Sequence, residues 1–188
     1  ACLVGSEMCI RDRYVGGASA VSSKKSDIVE AAFVNAAFWF IPVSALKKVG
    51  GFSPLFFHYG EDVDYIHRMR FYGYRVGYTP LTSGCHDRQN RPITRETQMK
   101  LDRVYYLSVV SDLNSGMAKC LWGGVLAPLK PGTLALLRGR FKEFCFYTGT
   151  SVRLLCRYLS IAEIKRFCKQ GRPVFLENVH SKIKPIWS

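Results

Sequence analysis

The sequence lacks several features that would place it in a common class of protein. Its seven cysteines, at positions 2, 9, 85, 120, 145, 156 and 168, are odd in number and include no Cys-x-x-Cys pair. They therefore indicate neither a disulfide framework nor a zinc ribbon, and they suit a reducing compartment. No apolar run approaches the roughly 18 residues that a membrane-spanning helix needs. The sequence also has no internal repeat, which excludes a solenoid.

Acidic residues are scarce, with 14 Asp and Glu against 27 Lys and Arg, so the net charge is +13. The excess lies mostly in the second half of the chain. Residues 1–90 carry ten basic and eight acidic residues, whereas residues 91–188 carry seventeen and six. This asymmetry predicts that the second half faces an anionic partner, either phospholipid or nucleic acid. Because 48% of the residues are hydrophobic and 13% aromatic, a packed core is expected rather than disorder.

The first thirteen residues differ in sequence pattern from the rest of the chain. The segment 1–13 has no basic stretch followed by an apolar one, so it makes a poor signal peptide. Its run from Leu3 to Arg13 resembles translated sequencing-adapter sequence, although an ordinary native segment stays open as the alternative. We therefore predict three parts: a foreign segment at 1–13, a catalytic part at 14–91 and a helical basic part at 92–188.

Residues 14–91 predict a mixture of strands and helices. Small residues and lysines make Tyr14–Asp27 a surface loop, and the nearly continuous apolar stretch Ile28–Pro42 favours a buried strand. A short helix over Ser44–Val49 is stopped by a Gly-Gly pair. Acidic residues at its start and arginines later predict a helix over Glu61–Tyr72, and alternation predicts a strand over Tyr74–Thr79.

Residues 92–188 predict helices. Thr94–Leu113 has a polar opening followed by spaced apolar residues, and Gly and Pro residues interrupt the chain between 123 and 132. Between residues 134 and 169, leucine and aromatic residues alternate with arginine and lysine, which is typical of basic amphipathic helices. Two interpretations stay open: helices packed on the protein's own surface, or helices lying on an anionic bilayer.

One stretch carries residues suited to chemistry. It runs in the order Asn35-Ala36-Ala37, Gly50-Gly51-Phe52, Phe56-Phe57-His58-Tyr59-Gly60-Glu61-Asp62-Val63-Asp64, Arg68, Gly73-Tyr74, Pro80 and His86. A Glu-Asp pair at a helix start would alone indicate simple capping. The ordered set resembles the C-terminal half of family 2 glycosyltransferases, enzymes of GT-A fold that include rhamnosyl- and galactofuranosyltransferases. The likeness covers residues 30–90 well and 14–29 weakly.

The resemblance implies an α/β fold, namely the C-terminal part of a Rossmann-like GT-A domain followed by amphipathic helices. It also implies transfer of a sugar, with inversion, from a nucleotide-sugar donor to a saccharide or lipid-linked acceptor. A positioned carboxylate suits this reaction as the general base for the acceptor hydroxyl. The family's base corresponds to Asp62, and Glu61 beside it would cap the helix or orient the acceptor. We expect the enzyme at the cytoplasmic face of the membrane.

The resemblance further implies a divalent metal, Mg²⁺ or Mn²⁺, that neutralises the departing diphosphate. His86 corresponds to the late histidine that completes this site in the family. The Asp-x-Asp of the donor-binding half has no counterpart in residues 14–60. We therefore expect that the chain cannot bind the donor sugar with normal affinity and is inactive by itself.

Acceptor or substrate contacts are predicted for five further residues. Sugars stack their C–H faces on aromatic rings and bond their hydroxyls to amides and charged groups. Trp39 and Tyr59 fit the first requirement as well as they fit core packing, whereas we expect Phe33 and Phe38 in the core. The full set of predicted contacts is Asn35, Trp39, Tyr59, Asp64 and Arg68. For Arg68, an i,i+4 ion pair with Asp64 is the favoured alternative.

Two other functions compete with the glycosyltransferase interpretation. A basic binding module for membrane or nucleic acid would use the +11 charge of residues 91–188, but no recognised nucleic-acid motif occurs. We therefore expect no nucleic-acid partner. A metal-dependent hydrolase would use His58, Glu61, Asp62 and His86, which lack a hydrolase spacing such as His-Glu-x-x-His.

Overall fold

In the computed structural model of the protein, the described residues are 2–4, 28–36, 39–56, 59–78, 92–176 and 186–187. Within them, helices dominate and the strands are only two or three residues long. The strands are β1 (Cys2–Val4), β2 (Val29–Glu30), β3 (Trp39–Phe40) and β4 (Val76–Tyr78). The helices are α1 (Val43–Val49), α2 (Glu61–Phe71), α3 (Arg95–Ser111), α4 (Met117–Cys120), a π-helical turn (Leu121–Leu126), α5 (Leu129–Leu137) and α6 (Phe141–Lys169). Of the predicted α/β class, the structure therefore shows only the coarser feature, a helix-rich protein that contains a small sheet.

The sheet has the order β2-β4-β1-β3. β4 pairs parallel to β1 and antiparallel to β2, and β1 pairs antiparallel to β3. The segment 1–13, which we predict to be foreign, therefore supplies an inner strand. Backbone pairing does not depend on side chains, so this placement leaves the origin of the segment untested.

The long strand predicted over Ile28–Pro42 is wrong. Among the described residues of that stretch, only those of β2 and β3 form strands, and a bend and a turn lie between them. The apolar run also enters the core less than expected, since Phe33 and Phe40 are exposed. Partly buried side chains of the run still pack against buried residues of α1 and α2, namely Val34, Trp39 and Ile41. Phe38 lies outside the described residues. An apolar stretch alone does not distinguish a buried strand from a partly exposed crossing loop.

The predicted helices in this part of the chain are confirmed. α1 ends at Val49, directly before Gly50. α2 has Glu61 and Asp62 in its first turn and Arg68 and Arg70 in its last. These charges complement the helix dipole at both ends. α3 begins at Thr94, whose side-chain oxygen accepts a hydrogen bond from the Thr97 backbone N–H at 3.2 Å.

The glycines and prolines after α3 do not break the chain into loops, contrary to our prediction. Met117–Leu137 is a continuous helical segment that contains the π-helical turn. Gly124 permits this because it packs directly on α3, where a Cβ atom would collide with the Val110 side chain. Pro128 and Pro131 fall at the start of α5, where helices tolerate proline.

Two apolar clusters make up the core. The smaller one joins α1, α2 and β4 through Val49, Tyr65, Met69 and their neighbours. The larger one joins α3 and α6 and includes Leu107 and Leu154, both fully buried. By length and composition, the segment Met117–Leu137 is apolar enough to cross a membrane, although a third of its most apolar window is buried inside the protein.

Candidate functional site

Helix α2 is fixed in place by a buried ion pair on its inner side. The Arg68 Nε donates to Asp64 Oδ2 at 2.9 Å, and its Nη1 and Nη2 donate to the backbone oxygens of Val49 and Gly51 at 2.9 and 2.8 Å. The guanidinium also lies over the Tyr65 ring, 4.9 Å from its centroid. One arginine therefore joins α2 to the end of α1 and to the following turn.

These contacts confirm the i,i+4 pairing of Asp64 with Arg68. Asp64 and Arg68 are 4% and 2% exposed, so neither presents its charge at the surface. Their burial and internal bonding argue against the acceptor contacts that the sequence predicts for both residues. Buried charges need such a partner, because a lone charge in the interior is strongly unfavourable.

The two preceding carboxylates have different surroundings. Glu61 and Asp62 occupy the first turn of α2 and are both half-buried. Asp62 Oδ1 accepts a hydrogen bond from the Val63 backbone N–H at 2.8 Å. Glu61 Oε2 is buried and has no hydrogen-bond partner among the described residues, so it can still accept one. Both carboxylates thus lie at an end of α2 that keeps capacity for a ligand.

The approach to α2 has a constrained backbone. Tyr59 and Gly60 both have positive φ, 66° and 88°. Gly60 is required because a Cβ atom there would collide with the Val104 side chain of α3. Tyr59 is not a glycine, so its left-handed conformation costs about 1–3 kcal/mol. Tyr59 is 48% exposed, so the residue held in this conformation is an aromatic one at the surface, two positions before Glu61.

An aromatic cluster lies one helical turn further along. Trp39 stacks on Phe52 with ring centroids 6.1 Å apart, and both rings contact that of Tyr65, at 5.8 and 5.0 Å. The Trp39 indole N–H donates to the backbone oxygen of Asn35 at 3.0 Å, which fixes the ring plane. Tyr65 follows Asp62 by three residues on α2, a spacing that makes them neighbours on a helix surface.

Phe52 is the member of this cluster that sequence reasoning missed. It is 48% exposed, although its ring packs on Trp39. Its position directly after Gly50-Gly51 could have indicated this role, because the chain turns there from α1 back towards β3. The sequence pattern by itself assigns Phe52 only to an aromatic loop.

The far end of α2 is joined to the residues that follow α3. Buried Asp112 accepts hydrogen bonds from the Ser115 hydroxyl at 2.6 Å and from the Asn114 backbone at 2.9 Å, and His67 lies 3.7 Å away. Burial by itself would raise the pKa of Asp112, but these hydrogen bonds outweigh it and hold the pKa below its ordinary value. His67 thus lies on the face of α2 that borders Asp112.

Two residues of the predicted chemistry, His58 and His86, lie outside the described residues. Within the described part, no group of three His, Cys, Asp or Glu side chains could hold a metal ion. The described residues therefore do not build the predicted Mg²⁺ or Mn²⁺ site, and its assignment to His86 stays a prediction.

The fold and the site together define a helix-rich protein with a small mixed sheet, in which one anchored helix presents two carboxylates beside partly exposed aromatic rings. Compared with known proteins, the chain matches no family model, no curated protein and no solved structure. The function is therefore inferred from the site and from the sequence motif.

Proposed function

We propose that this chain is the acceptor- and base-bearing C-terminal part of an inverting, nucleotide-sugar-dependent glycosyltransferase of GT-A fold. The observation that carries the proposal is the arrangement on α2. Glu61 and Asp62 lie in its first turn, one turn before Tyr65, whose ring contacts the partly exposed rings of Trp39 and Phe52. A carboxylate beside an aromatic surface suits the binding and deprotonation of a sugar hydroxyl.

In the proposed reaction, Asp62 accepts the proton of the acceptor hydroxyl as that oxygen attacks the anomeric carbon of the donor. The new bond forms on the face opposite the departing diphosphate, so the configuration inverts. The Val63 backbone N–H that donates to Asp62 Oδ1 fixes the orientation of the carboxylate. Glu61 lies beside Asp62 in the first turn of α2 and orients the acceptor in this scheme.

The acceptor sugar is proposed to stack on the partly exposed rings of Trp39 and Phe52, with Tyr59 as a further aromatic contact. Asn35 supports this surface through its backbone bond to the indole of Trp39. Asp64 and Arg68 act indirectly in this scheme, because their buried pair fixes the helix that carries Asp62. The acceptor is of the saccharide or lipid-linked class.

The donor is proposed to bind a separate nucleotide-binding part of the protein. A bound Mg²⁺ or Mn²⁺ would supply neutralisation of the diphosphate charge that grows as the leaving bond breaks. The described residues of this chain contribute the acceptor side and the base. The isolated 188-residue chain is accordingly expected to show no sugar transfer, and measurable transfer by it would contradict this division.

The base assignment is tested in the gene product that includes the sequence encoded upstream. Asp62→Asn is expected to lower kcat by about 10²–10⁴-fold, because general-base catalysis contributes on that order. Donor affinity, measured by titration calorimetry, should stay unchanged. Glu163→Gln on the exposed surface of α6 is the matched acid-to-amide control, with activity equal to wild type. Near-normal turnover of Asp62→Asn would overturn the assignment.

The aromatic surface is tested separately from the base. Trp39→Leu keeps apolar volume but removes the stacking ring, so we expect the acceptor KM to rise roughly tenfold while the donor KM is unchanged. Trp122→Leu, at an exposed tryptophan of the π-helical turn, is the matched control. Equal acceptor KM values for the two variants would remove Trp39 from the acceptor site.

A further inference from the structure

Helices α5 and α6 form a hairpin whose end carries apolar side chains into solvent. We call residues 134–142 the hairpin tip. The turn is closed by backbone hydrogen bonds from Gly139 N to Leu136 O at 3.0 Å and from Arg140 N to Ala135 O at 2.9 Å. At this tip Leu137 is 84% exposed and Phe141 is 64% exposed, and Leu134 and Leu136 are exposed as well. Exposed side chains of this size in one place mark a binding surface.

The charge around the hairpin tip is of one sign. No Asp or Glu occurs between Asp112 and Glu143, whereas five Lys and Arg residues do. Three of them belong to the tip, namely Arg138, Arg140 and Lys142. Glu143, the nearest acidic residue, is already shared between Arg140 and Arg95 of α3. A partner of this surface must therefore offer both apolar contact and negative charge.

The apolar surface continues along the helical segment that leads into the hairpin. In Met117–Leu137, Cys120, Val125 and Ala135 are buried towards α3 and α6. Met117 and Trp122, on the other hand, are 77% and 69% exposed. One side of this segment thus packs on the protein, and the other presents large apolar side chains to solvent.

This arrangement favours a helix lying along a bilayer surface over one crossing it. α5 is held against α6 along its length, with the Gly132 position facing the Tyr147 Cβ. α6 in turn buries Leu154, Ile161 and Ile164 in the main core. A crossing orientation would remove the segment from this core. An in-plane orientation keeps the core intact and lets arginine and lysine reach head groups while leucine and phenylalanine enter the acyl boundary.

We propose that the hairpin tip inserts Leu137 and Phe141 into an anionic phospholipid bilayer, with Arg138 and Lys142 contacting the head groups. The charge complementarity selects lipid over a second copy of this chain, because two copies of the same basic tip would repel each other. The proposal does not depend on the proposed catalytic function. It predicts a peripheral membrane protein that is released from the bilayer by high salt or alkaline extraction.

Flotation of the complete 188-residue chain with vesicles tests the proposal. We expect binding to vesicles of phosphatidylcholine containing phosphatidylglycerol, and much weaker binding to phosphatidylcholine alone. Leu137→Asp is expected to weaken partitioning roughly tenfold or more, since it removes a leucine that would enter the acyl boundary and adds a negative charge that anionic head groups repel. Arg138→Gln with Lys142→Gln should weaken it on the order of tenfold, through lost head-group attraction.

Leu159→Asp is the matched control, because Leu159 is 80% exposed on α6 and lies roughly 27 Å from Phe141 along that helix. It should bind vesicles like wild type, and circular dichroism should show equal helicity for all variants. Equal binding of Leu137→Asp and wild type would overturn the proposal, as would equal binding to neutral and anionic vesicles. A wild-type dimer that Leu137→Asp converts to a monomer, without vesicle binding by either, would assign the tip to a second copy of the chain and likewise overturn it.

Discussion

In the described part of residues 28–78, no strand is longer than three residues and α2 has eleven residues, whereas α6 alone has 29 residues. The first region has only the smaller apolar cluster, and specific polar contacts supplement it, chiefly those that Arg68 makes with Asp64, Val49 and Gly51. The second region, residues 95–169, is fixed by apolar packing between α3, α6 and the segment between them. The candidate chemistry lies in the region with the shorter elements.

The difference has a physical basis. Long helices bury a continuous apolar face, so their stability is spread over many small contacts. Short strands and turns cannot do this, and a carboxylate must stay near the surface to meet a ligand. A single buried ion pair then fixes the helix that carries the carboxylate. The first region should therefore be sensitive to loss of individual polar groups, and the second to loss of volume.

Removing the ion pair should give the largest effect in the first region. Arg68→Ala leaves Asp64 buried without its partner and is expected to cost about 3–5 kcal/mol of unfolding free energy. Arg68→Lys should rescue it only in part, because an ammonium group cannot reproduce the planar fork. Urea unfolding followed by circular dichroism measures both. Arg75→Ala, at an exposed pair with Glu30, should change the free energy by less than about 1 kcal/mol.

In the second region, loss of side-chain volume should lower the free energy of unfolding. Leu154→Ala opens a cavity at a fully buried position of α6 and is expected to cost about 2–5 kcal/mol. The same substitution at exposed Leu159 should cost less than about 0.5 kcal/mol. If the two variants unfolded at the same urea concentration, α6 would not pack as described.

Acid should weaken the junction between the two regions. The pKa of Asp112 is held below its ordinary 3.8, so its contribution to stability is fully present above that value and is lost as the pH falls through the lower folded pKa. Asp112→Asn is expected to cost about 1.5–3 kcal/mol at neutral pH. It should also flatten the pH dependence below about pH 4, relative to wild type, in thermal unfolding. An unchanged acid limb in the variant would show that Asp112 does not titrate in this way.

The smallest loss of unfolding free energy is expected when a polar contact of the second region is removed. The Tyr147 hydroxyl of α6 donates to Asp102 of α3 at 2.6 Å, and Asp102 also accepts from Gln98. Burial and the neighbouring carboxylate raise the pKa of Tyr147 above its ordinary value. Tyr147→Phe should cost about 1 kcal/mol, since packing is kept and Asp102 retains one donor. A loss as large as that of Arg68→Ala would remove the contrast between the regions.

The sequence predicted the helices well, because their signals are local. Acidic residues at Glu61 and Asp62, the Gly-Gly pair after α1 and the capping Thr94 each act within one or two turns. The i,i+4 pairing of Asp64 with Arg68 follows from helix geometry in the same way. The burial of that pair could not be predicted, because it depends on the backbone of Val49 and Gly51, which lie 19 and 17 residues before Arg68.

The sequence predicted the region between the helices poorly. Ile28–Pro42 has the composition of a buried strand, yet Phe33 and Phe40 are exposed, since neighbouring strands rather than composition decide which stretch becomes central in a sheet. Gly123-Gly124 and Pro128 indicate loops by their type, yet they continue a helix because α3 approaches closely. Of the site, the sequence indicated Asp62 and Trp39, while Phe52 required the fold.

The central claim is that two carboxylates of α2 have different roles: Asp64 stabilises the fold and Asp62 acts as the general base. Two matched substitutions test this claim most directly. Asp62→Asn and Asp64→Asn make the same chemical change two residues apart in the same helix. Urea unfolding and sugar transfer are measured for both in the proposed complete enzyme. We expect Asp62→Asn to keep the wild-type unfolding free energy within about 0.5 kcal/mol and to lose transfer. Asp64→Asn should lose about 3 kcal/mol or more. Wild-type transfer by Asp62→Asn, or wild-type stability of Asp64→Asn, would contradict the claim.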